Sequence, residues 1–415
     1  MSQYKLRKTC RLCLSKDFRL VIDLGIQPPS NSFLSKNQLK IPEKKFPLRL
    51  YLCNKCHHLQ LLDVVDKKEL FANYLYMTSA NKPIISHFEN YVADIYEKKL
   101  RGKNSKTVIE IGSNDGTLLK HFLKYDVKVL GIEPAKNLAK ISAKAKIETI
   151  NDFFDYKLAK KISKKVKADV IIANNILGHV DNLTSFIKGI KTLLNDEGIF
   201  VFEVPHAMNL LKNLEFDTIY HEHISYFSVI PLIRWFKNHE LEIVNIEKQK
   251  VHGGTIRVYV SRKNKHKIMK SVSRIIIQEK KFGINKKTTY SDFAKKISKL
   301  KFDLVKKIIS LKENGEMIFG YGAPAKGNVL LNYCDIDSRF IDFITDTTPL
   351  KQNKFTPGTH IPIKSPLIIR KKSNSIALLL AWNYKDEIVN REKQFLKSGG
   401  KFLVPIPKPI IIKKE

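Results

Sequence analysis

Two groups of residues in this chain carry chemistry, and they lie about a hundred positions apart. The later group is Tyr220-His221-Glu222-His223, followed by Ile224-Ser-Tyr-Phe-Ser228. Such polar side chains in a row are expensive to bury unless each is paired. A neutral imidazole, with an ordinary pKa of about 6.5, accepts a proton well at cellular pH. The run therefore offers a general base, with His223 as its candidate, or else a structural polar network or a second metal site. The earlier group is Glu110-Ile-Gly112-Ser-Asn114-Asp115-Gly116. Gly112 and Gly116 allow the backbone to approach a ligand closely. Glu133 stands 23 positions after Glu110, at the end of the next expected strand. A carboxylate placed there holds ribose hydroxyls. An E-x-G-x-x-x-G turn with such an acid points to S-adenosylmethionine. A methyl donor beside a base describes a methyltransferase that first removes a proton from its substrate.

Other residues are expected near this pair. Asp152, in Asp152-Phe-Phe154 after the third strand, is placed to meet an adenine, or is an ordinary loop acid. Asn174-Asn175-Ile-Leu-Gly-His179 follows the fourth strand. Ligands of doubly wound sheets sit at such carboxyl ends. Further on, Gly320-Tyr-Gly-Ala-Pro-Ala-Lys326-Gly327 opens another strand–turn–helix. Amides at a helix start plus Lys326 would hold a pyrophosphate. It is not a Walker loop, because Asn328 follows Gly327, and a turn used only for packing is the competing reading. Trp382-Asn-Tyr384 either shapes a cleft or packs a core. Cys334 and His221 read as structural.

Four of the five cysteines form two knuckles, Cys10-Arg-Leu-Cys13 and Cys53-Asn-Lys-Cys56, with 39 residues between them. Paired CxxC turns suit one tetrahedral zinc ion. Four thiolates close the coordination sphere, so the metal is structural and not catalytic. His57 and His58 read as packed or solvated imidazoles.

The elements that must position these groups follow from periodicity. Thr107–Ile111, Val127–Ile132, Val170–Ala173 and Gly198–Glu203 read as buried strands separated by helices. That alternation means a parallel sheet covered on both faces. The expected fold class is α/β: a zinc-binding module over 1–70, then a Rossmann-like class I methyltransferase domain over 71–264. A Lys-rich helical connector over 265–312 and a smaller Rossmann-like domain over 313–415 follow, the latter with strands near Phe340–Ile344 and Ser375–Ala381. No apolar run approaches the ~20 residues of a membrane helix. The start lacks the apolar stretch of a signal peptide, so a cytoplasmic protein with no membrane partner is expected. The net charge is +34, from 74 Lys and Arg against 40 acidic residues. An anionic partner would suit that charge. The lysines are spread along the whole chain, however, and no nucleic-acid signature stands out, so no nucleic-acid partner is expected.

Taken together, these motifs resemble the nucleotide-sugar C-methyltransferases, along essentially the whole chain. The knuckles are similar to that family's zinc module, and Glu110–Gly116 to its cofactor turn. Asn174–His179 matches a segment that usually has Ala where this chain has Gly178. Tyr220–His223, with Ser225–Ser228, matches its most distinctive run. His252-Gly-Gly-Thr-Ile-Arg257 matches a glycine-containing strand entry. Gly320–Asn328, Asp346, Lys351 and Pro357–Pro362 match its carboxy-terminal domain. The resemblance implies methylation of a carbon, C3, beside the 4-keto group of a TDP-linked deoxysugar. It implies His223 as base, with Glu222 and Tyr220 supporting it and Tyr76 and His179 lining the site. Lys326, Lys351, Arg257 and His252 are its expected substrate contacts. A zinc-ribbon methyltransferase acting on RNA or protein is the competing expectation, and it leaves the second α/β domain unexplained.

Overall fold

The computed structural model describes residues 4–66, 69–70, 77–80, 82–104, 106–249, 253–371 and 374–414. The amino-terminal module begins with β1 (Tyr4–Leu6), β2 (Phe18–Gln27), β3 (Phe46–Cys53), β4 (Leu59–Leu61) and β5 (Asp63–Val65). In β3, Phe46, Leu48, Leu50 and Leu52 alternate inward, the two-residue period of a strand with one buried face. β2, β3 and β4 form an antiparallel sheet, and β1 pairs with β5 beside it.

The central sheet is built from β6 (Thr107–Ile111), β7 (Lys128–Ile132), β8 (Thr149–Ile150), β9 (Ala168–Ile172) and β10 (Leu194–Pro205), all parallel. Every residue of β6 is buried, as expected for a strand covered on both faces. A short strand, β11 (Ser225–Tyr226), leaves this domain and completes the amino-terminal sheet against β4. The chain then returns as β12 (Leu241–Gln249) and β13 (Thr255–Arg262), an antiparallel hairpin on the edge of β10. The strand order is β12-β13-β10-β9-β6-β7-β8. It reverses between β6 and β9, which opens a crevice at the carboxyl ends of those strands. The antiparallel edge departs from the purely parallel sheet that helix–strand alternation suggests.

The segment after β13 serves both neighbours. Helix Lys270–Phe282 packs Val272 and Ile275 onto the central sheet. Helix Lys287–Glu313 buries Tyr290, Phe293, Ile297, Leu300, Leu304 and Ile308, a three-and-four spacing along one face. That face joins a core shared with the amino-terminal sheet and the last domain. The last sheet has the order β16-β15-β14-β17-β18-β19, from β14 (Met317–Tyr321), β15 (Ile344–Thr345), β16 (Ile363–Lys364), β17 (Ser375–Leu379), β18 (Lys401–Val404) and β19 (Ile410–Ile412). The strand expected over Phe340–Ile344 begins only at Ile344. Phe340 and Ile341 instead donate their N–H groups to the Asp337 carbonyl, closing a turn. Among the described residues, no helix is long and apolar enough to cross a membrane.

One buried acid ties the segment after β13 to the central domain. Glu279 is fully buried and accepts the N–H groups of Val229 (2.6 Å) and Ile230 (2.9 Å), the first residues of helix Val229–Lys237. It also meets His206 Nε2 at 2.6 Å. An acid at a helix start satisfies orphan donors and the helix dipole together. Glu279→Ala is expected to cost about 1–3 kcal/mol or more, the range for leaving buried donors unsatisfied. Urea unfolding of wild type and variant at matched pH measures this.

Candidate active site

A cavity of about 230 Å³ lies in the crevice at the switch point. Glu110, Gly112, Asn114, Glu133, Asn174, Asn175 and His179 line it. Gly112 holds φ +72°, and a Cβ there would collide with the Ile176 side chain. Asn114 and Asn175 also take left-handed backbone, at φ +52° and +56°. Asparagine accepts that conformation, at some strain, where a site requires it. Glu133 takes the N–H groups of Asn114 (2.9 Å) and Ala135 (2.8 Å) on its two carboxylate oxygens. Burial still holds its pKa above the usual carboxylate range.

The cavity wall carries unmet polar atoms. Glu110 Oε2, Ser113 Oγ, Asn174 Nδ2 and Asn175 Oδ1 are buried without a hydrogen-bond partner. Burial, then the charges of Glu133 and Asp115, push the Glu110 pKa well upward. A buried acceptor, an amide donor and a glycine cradle fit an amino-acid zwitterion linked to a ribose. These residues therefore suit S-adenosylmethionine, with Glu133 at the ribose. Asp115 and Gly116 act one step back. Asp115 caps Thr117 (Oγ1, 2.6 Å) and receives Ser79 N at 3.0 Å. Asp152 is exposed and accepts Phe153 N at 2.8 Å, while Phe153 and Phe154 form the wall. The aromatic neighbours of Asp152, and not its carboxylate, thus face the ligand.

The base segment sits beside this cavity in an irregular turn. His223 N donates to the Tyr220 carbonyl at 2.8 Å. Glu222 and His223 are therefore not constrained to opposite faces as on a strand. His223 Nδ1 lies 3.3 Å from the Thr218 carbonyl. A carbonyl only accepts, so Nδ1 carries the proton and Nε2 is the acceptor. Tyr220 OH meets that Nε2 at 2.7 Å. His179 Nδ1 donates to the Glu222 carbonyl at 2.7 Å, and its ring stands edge-on to His223, 4.9 Å between centroids. Burial lowers the His179 pKa and keeps that ring neutral. His179 also lines the cavity, so one imidazole spans base and donor pocket. Glu222 turns away and accepts Asn31 Nδ2 at 2.8 Å. Burial pushes its pKa up to about 7. His221 points to the Phe46 carbonyl at 3.3 Å, a packed structural contact.

The expected substrate contacts fall elsewhere. Arg257 is buried, pairs with Glu203 at 2.8 Å, and lies 3.6 Å over the Tyr91 ring. Glu203 also takes His87 Nε2 at 2.9 Å, and both Glu203 and His87 line the cavity. Arg257 thus reaches the cavity only through Glu203. Lys326 bonds Asn383 and lies 4.4 Å over the Trp382 ring, beside Asp217 and Glu215. Burial pushes its pKa down to about 8. Lys351 donates to the Ala323 carbonyl at 2.8 Å and sits 5.1 Å over Phe33. Neither lysine lines the cofactor cavity. Tyr76 and His252 lie outside the described residues. Thr218, Asn31, His87 and Glu203 were not expected in these roles. No spacing signal links Asn31 to Glu222, which are 191 positions apart.

The four knuckle cysteines converge, with their sulfurs all within 4.8 Å of one another. Cys10–Cys56 and Cys13–Cys53 are 3.6 and 3.5 Å apart. Zinc bonds of about 2.3 Å in a tetrahedron place thiolates about 3.8 Å apart, so the set fits one closed zinc site. Gln60 Nε2 donates to Cys10 Sγ at 3.2 Å. His58 instead meets Ser225 Oγ at 3.2 Å, and burial pushes its pKa down to about 3.

A zinc module, a Rossmann-like sheet with a donor cavity, and a second α/β domain define a methyltransferase with a zinc-binding amino-terminal part. Family models agree in order: a zinc binding domain over 10–71, a methyltransferase domain over 85–246, and a C-methyltransferase C-terminal domain over 250–407. The chain is 35% identical to C-methyltransferase NovU of Streptomyces niveus over 98% of this chain and 97% of that one. This chain belongs to the same C-methyltransferase family. Solved structures resemble only part of it. The plantazolicin methyltransferase BpumL covers 45% of this chain and 88% of its own at 11% identity and TM-score 0.36. The magnesium protoporphyrin IX methyltransferase of Synechocystis PCC 6803 covers 43% and 79% at 10% identity and TM-score 0.33. Those likenesses are too distant to bear on function.

Two measurements follow from this geometry. Gly112→Ala is expected to weaken S-adenosylhomocysteine binding at least about tenfold, because Cβ would fill the cradle at a positive φ. Isothermal titration calorimetry reads the loss. Glu222→Gln tests the raised carboxyl. In wild type the folded state holds a proton up to about pH 7, whereas the unfolded glutamate releases it near its ordinary value. Wild-type stability therefore falls as pH rises through that window, and the glutamine variant lacks this term. The variant is expected to gain up to about 3 kcal/mol relative to wild type between pH 4 and pH 9, from the usual energy per pKa unit. Denaturant midpoints across that range supply the comparison.

Proposed function

We propose that this C-methyltransferase methylates the carbon, C3, beside the 4-keto group of a TDP-linked deoxysugar. One observation carries the reading: His223 presents an acceptor Nε2 beside the donor cavity, with its tautomer set by the Thr218 carbonyl. S-adenosylmethionine supplies a methyl group activated by its sulfonium. The chain supplies the rest. His223 Nε2 takes the proton from the carbon acid, which a neighbouring carbonyl makes removable. The imidazolium that forms keeps its Nδ1–H on Thr218. Tyr220 OH is released from Nε2 as the substrate enters and donates to the developing enolate oxygen, while His179, with its N–H on the Glu222 carbonyl, packs edge-on against His223. Glu222, neutral below about pH 7, is turned toward Asn31 and supports the segment from that side. Glu110, Glu133 and the paired asparagines orient the donor so that its methyl faces the enolate carbon.

The domain division of 1–70, 71–264, 265–312 and 313–415 belongs to the same reading. In this reading the last domain closes the nucleotide side of the cleft, with Lys326 and Lys351 as its candidate substrate contacts. The substrate is a small cytoplasmic nucleotide sugar.

His223→Ala is expected to lower kcat by about 10²–10⁴, the span of general base catalysis, with little change in donor affinity. Mass spectrometry in heavy water with a panel of TDP-4-keto-deoxysugars checks it. Wild type adds one methyl, and it incorporates deuterium beside the carbonyl even without donor. Methylation of RNA or protein, with no sugar methylated, would overturn the reading.

A further inference from the structure

The hydrogen bonds of the zinc module reach Ile224 and Ser225, the two residues that follow the candidate base. Gln60 is fully buried in the middle of β4. Its Nε2 donates to Cys10 Sγ at 3.2 Å. Its Oε1 accepts Arg11 N at 3.1 Å and Arg11 Nη1 at 3.2 Å, so the amide cannot turn over without losing all three bonds. The backbone of Gln60 pairs with Ser225, two positions past His223. Leu61 N then donates to the Ile224 carbonyl at 3.0 Å. On the other side, His58 holds Ser225 Oγ, while the His58 carbonyl accepts Cys53 N at 3.0 Å.

Two routes thus run from the thiolates to the residues that follow the base, and Gln60 carries the shorter. β11 has only two residues, and within its sheet it pairs with β4, while the Gly178 carbonyl and the His206–Phe227 bridge hold the residues on either side. A one-residue slip in a strand reverses every side chain. Such a slip would carry Ser225 and the preceding turn out of place. A thiolate bound to metal keeps lone pairs that need N–H donors, and such outer partners orient the ligands.

We propose that Gln60 is a positioning residue through which the four-thiolate zinc site sets the register of β11 and so the placement of His223. The catalytic consequence rests on His223 being the base, whereas the mechanical link does not.

The test uses full-length, zinc-loaded protein and Gln60→Met, which keeps the volume and removes the amide. Zinc release to a chromogenic chelator is expected about 10–100-fold more readily than from wild type, the usual cost of losing an outer partner. Amide hydrogen exchange over 219–226 is expected to quicken at least about tenfold, with β6 to β9 unchanged. S-adenosylhomocysteine affinity and donor KM should hold while kcat falls about tenfold. Removing zinc from wild type with a chelator should reproduce the exchange change in 219–226. Zinc retention equal to wild type would overturn the proposal. So would unaltered exchange over 219–226 after zinc loss. Weakened S-adenosylhomocysteine binding with faster exchange across the central sheet would show an ordinary core residue and also overturn it. If zinc release and exchange behave as expected but His223→Ala keeps full turnover, the base assignment fails while the metal-to-strand link stands.

Discussion

The structure turns on keeping a short, irregular run of polar side chains in place between three folded units. Residues 217–226 make no long strand or helix that could hold itself. Their order is supplied from outside. The amino-terminal sheet pairs with Ser225–Tyr226, Asn31 holds Glu222, and Phe46 receives His221. The central domain contributes His179 and the Gly178 carbonyl, which accepts Ile224 N at 2.8 Å. The last domain contributes Trp382, whose Nε1 donates to Asp217 at 2.7 Å. Each bond offsets the desolvation of one polar group, which is how His223 sits half-buried with Tyr220 on one ring nitrogen and the Thr218 carbonyl on the other.

This arrangement gives the flanking units a structural part in the site. A class I sheet alone would offer a donor cavity but no wall opposite it. The zinc module and the carboxy-terminal domain share a core with helix Lys287–Glu313, so that they form one support behind the base segment. A zinc ion held by the four cysteines would cross-link the two knuckle loops, a use that small modules commonly make of zinc.

Electrostatics divides the site into two halves. On the donor side, Glu110 and Glu133 are buried together and held above their ordinary pKa values, and a cationic ligand relieves that cost. Nearby, Glu203 goes the other way. Burial alone would raise it, but His87 and Arg257 hold it below the usual range. On the other side burial lowers the pKa of His179 and favours its neutral ring. The surface charge of +34 is separate from both. Its lysines are spread along the whole chain, and neither network uses one.

Much of this was legible in the chain, because some signals are local. A CxxC knuckle places two thiolates on one turn. A glycine turn between a buried strand and a helix makes a cradle from its own backbone. Strand and helix periods reveal which faces are covered. These features depend on residues a few positions apart, and the structure has them where the spacing puts them. The edge hairpin β12–β13 and the late start of β15 were not legible, since sheet edges and turns follow tertiary pairing more than pattern. The partners of the polar groups were less legible still. Asn31 meets Glu222 across 191 positions and Trp382 meets Asp217 across 165. Lys326, Lys351 and Arg257 have the residue types of anion contacts, yet they bond Asn383, the Ala323 carbonyl and Glu203. The sequence by itself determined the fold class, the zinc ligands, the donor turn and the candidate base. Only the tertiary structure decided which nitrogen of His223 accepts, what Glu222 faces and how the metal site is tied to both, because a hydrogen bond depends on side-chain direction and depth, which spacing along the chain does not encode.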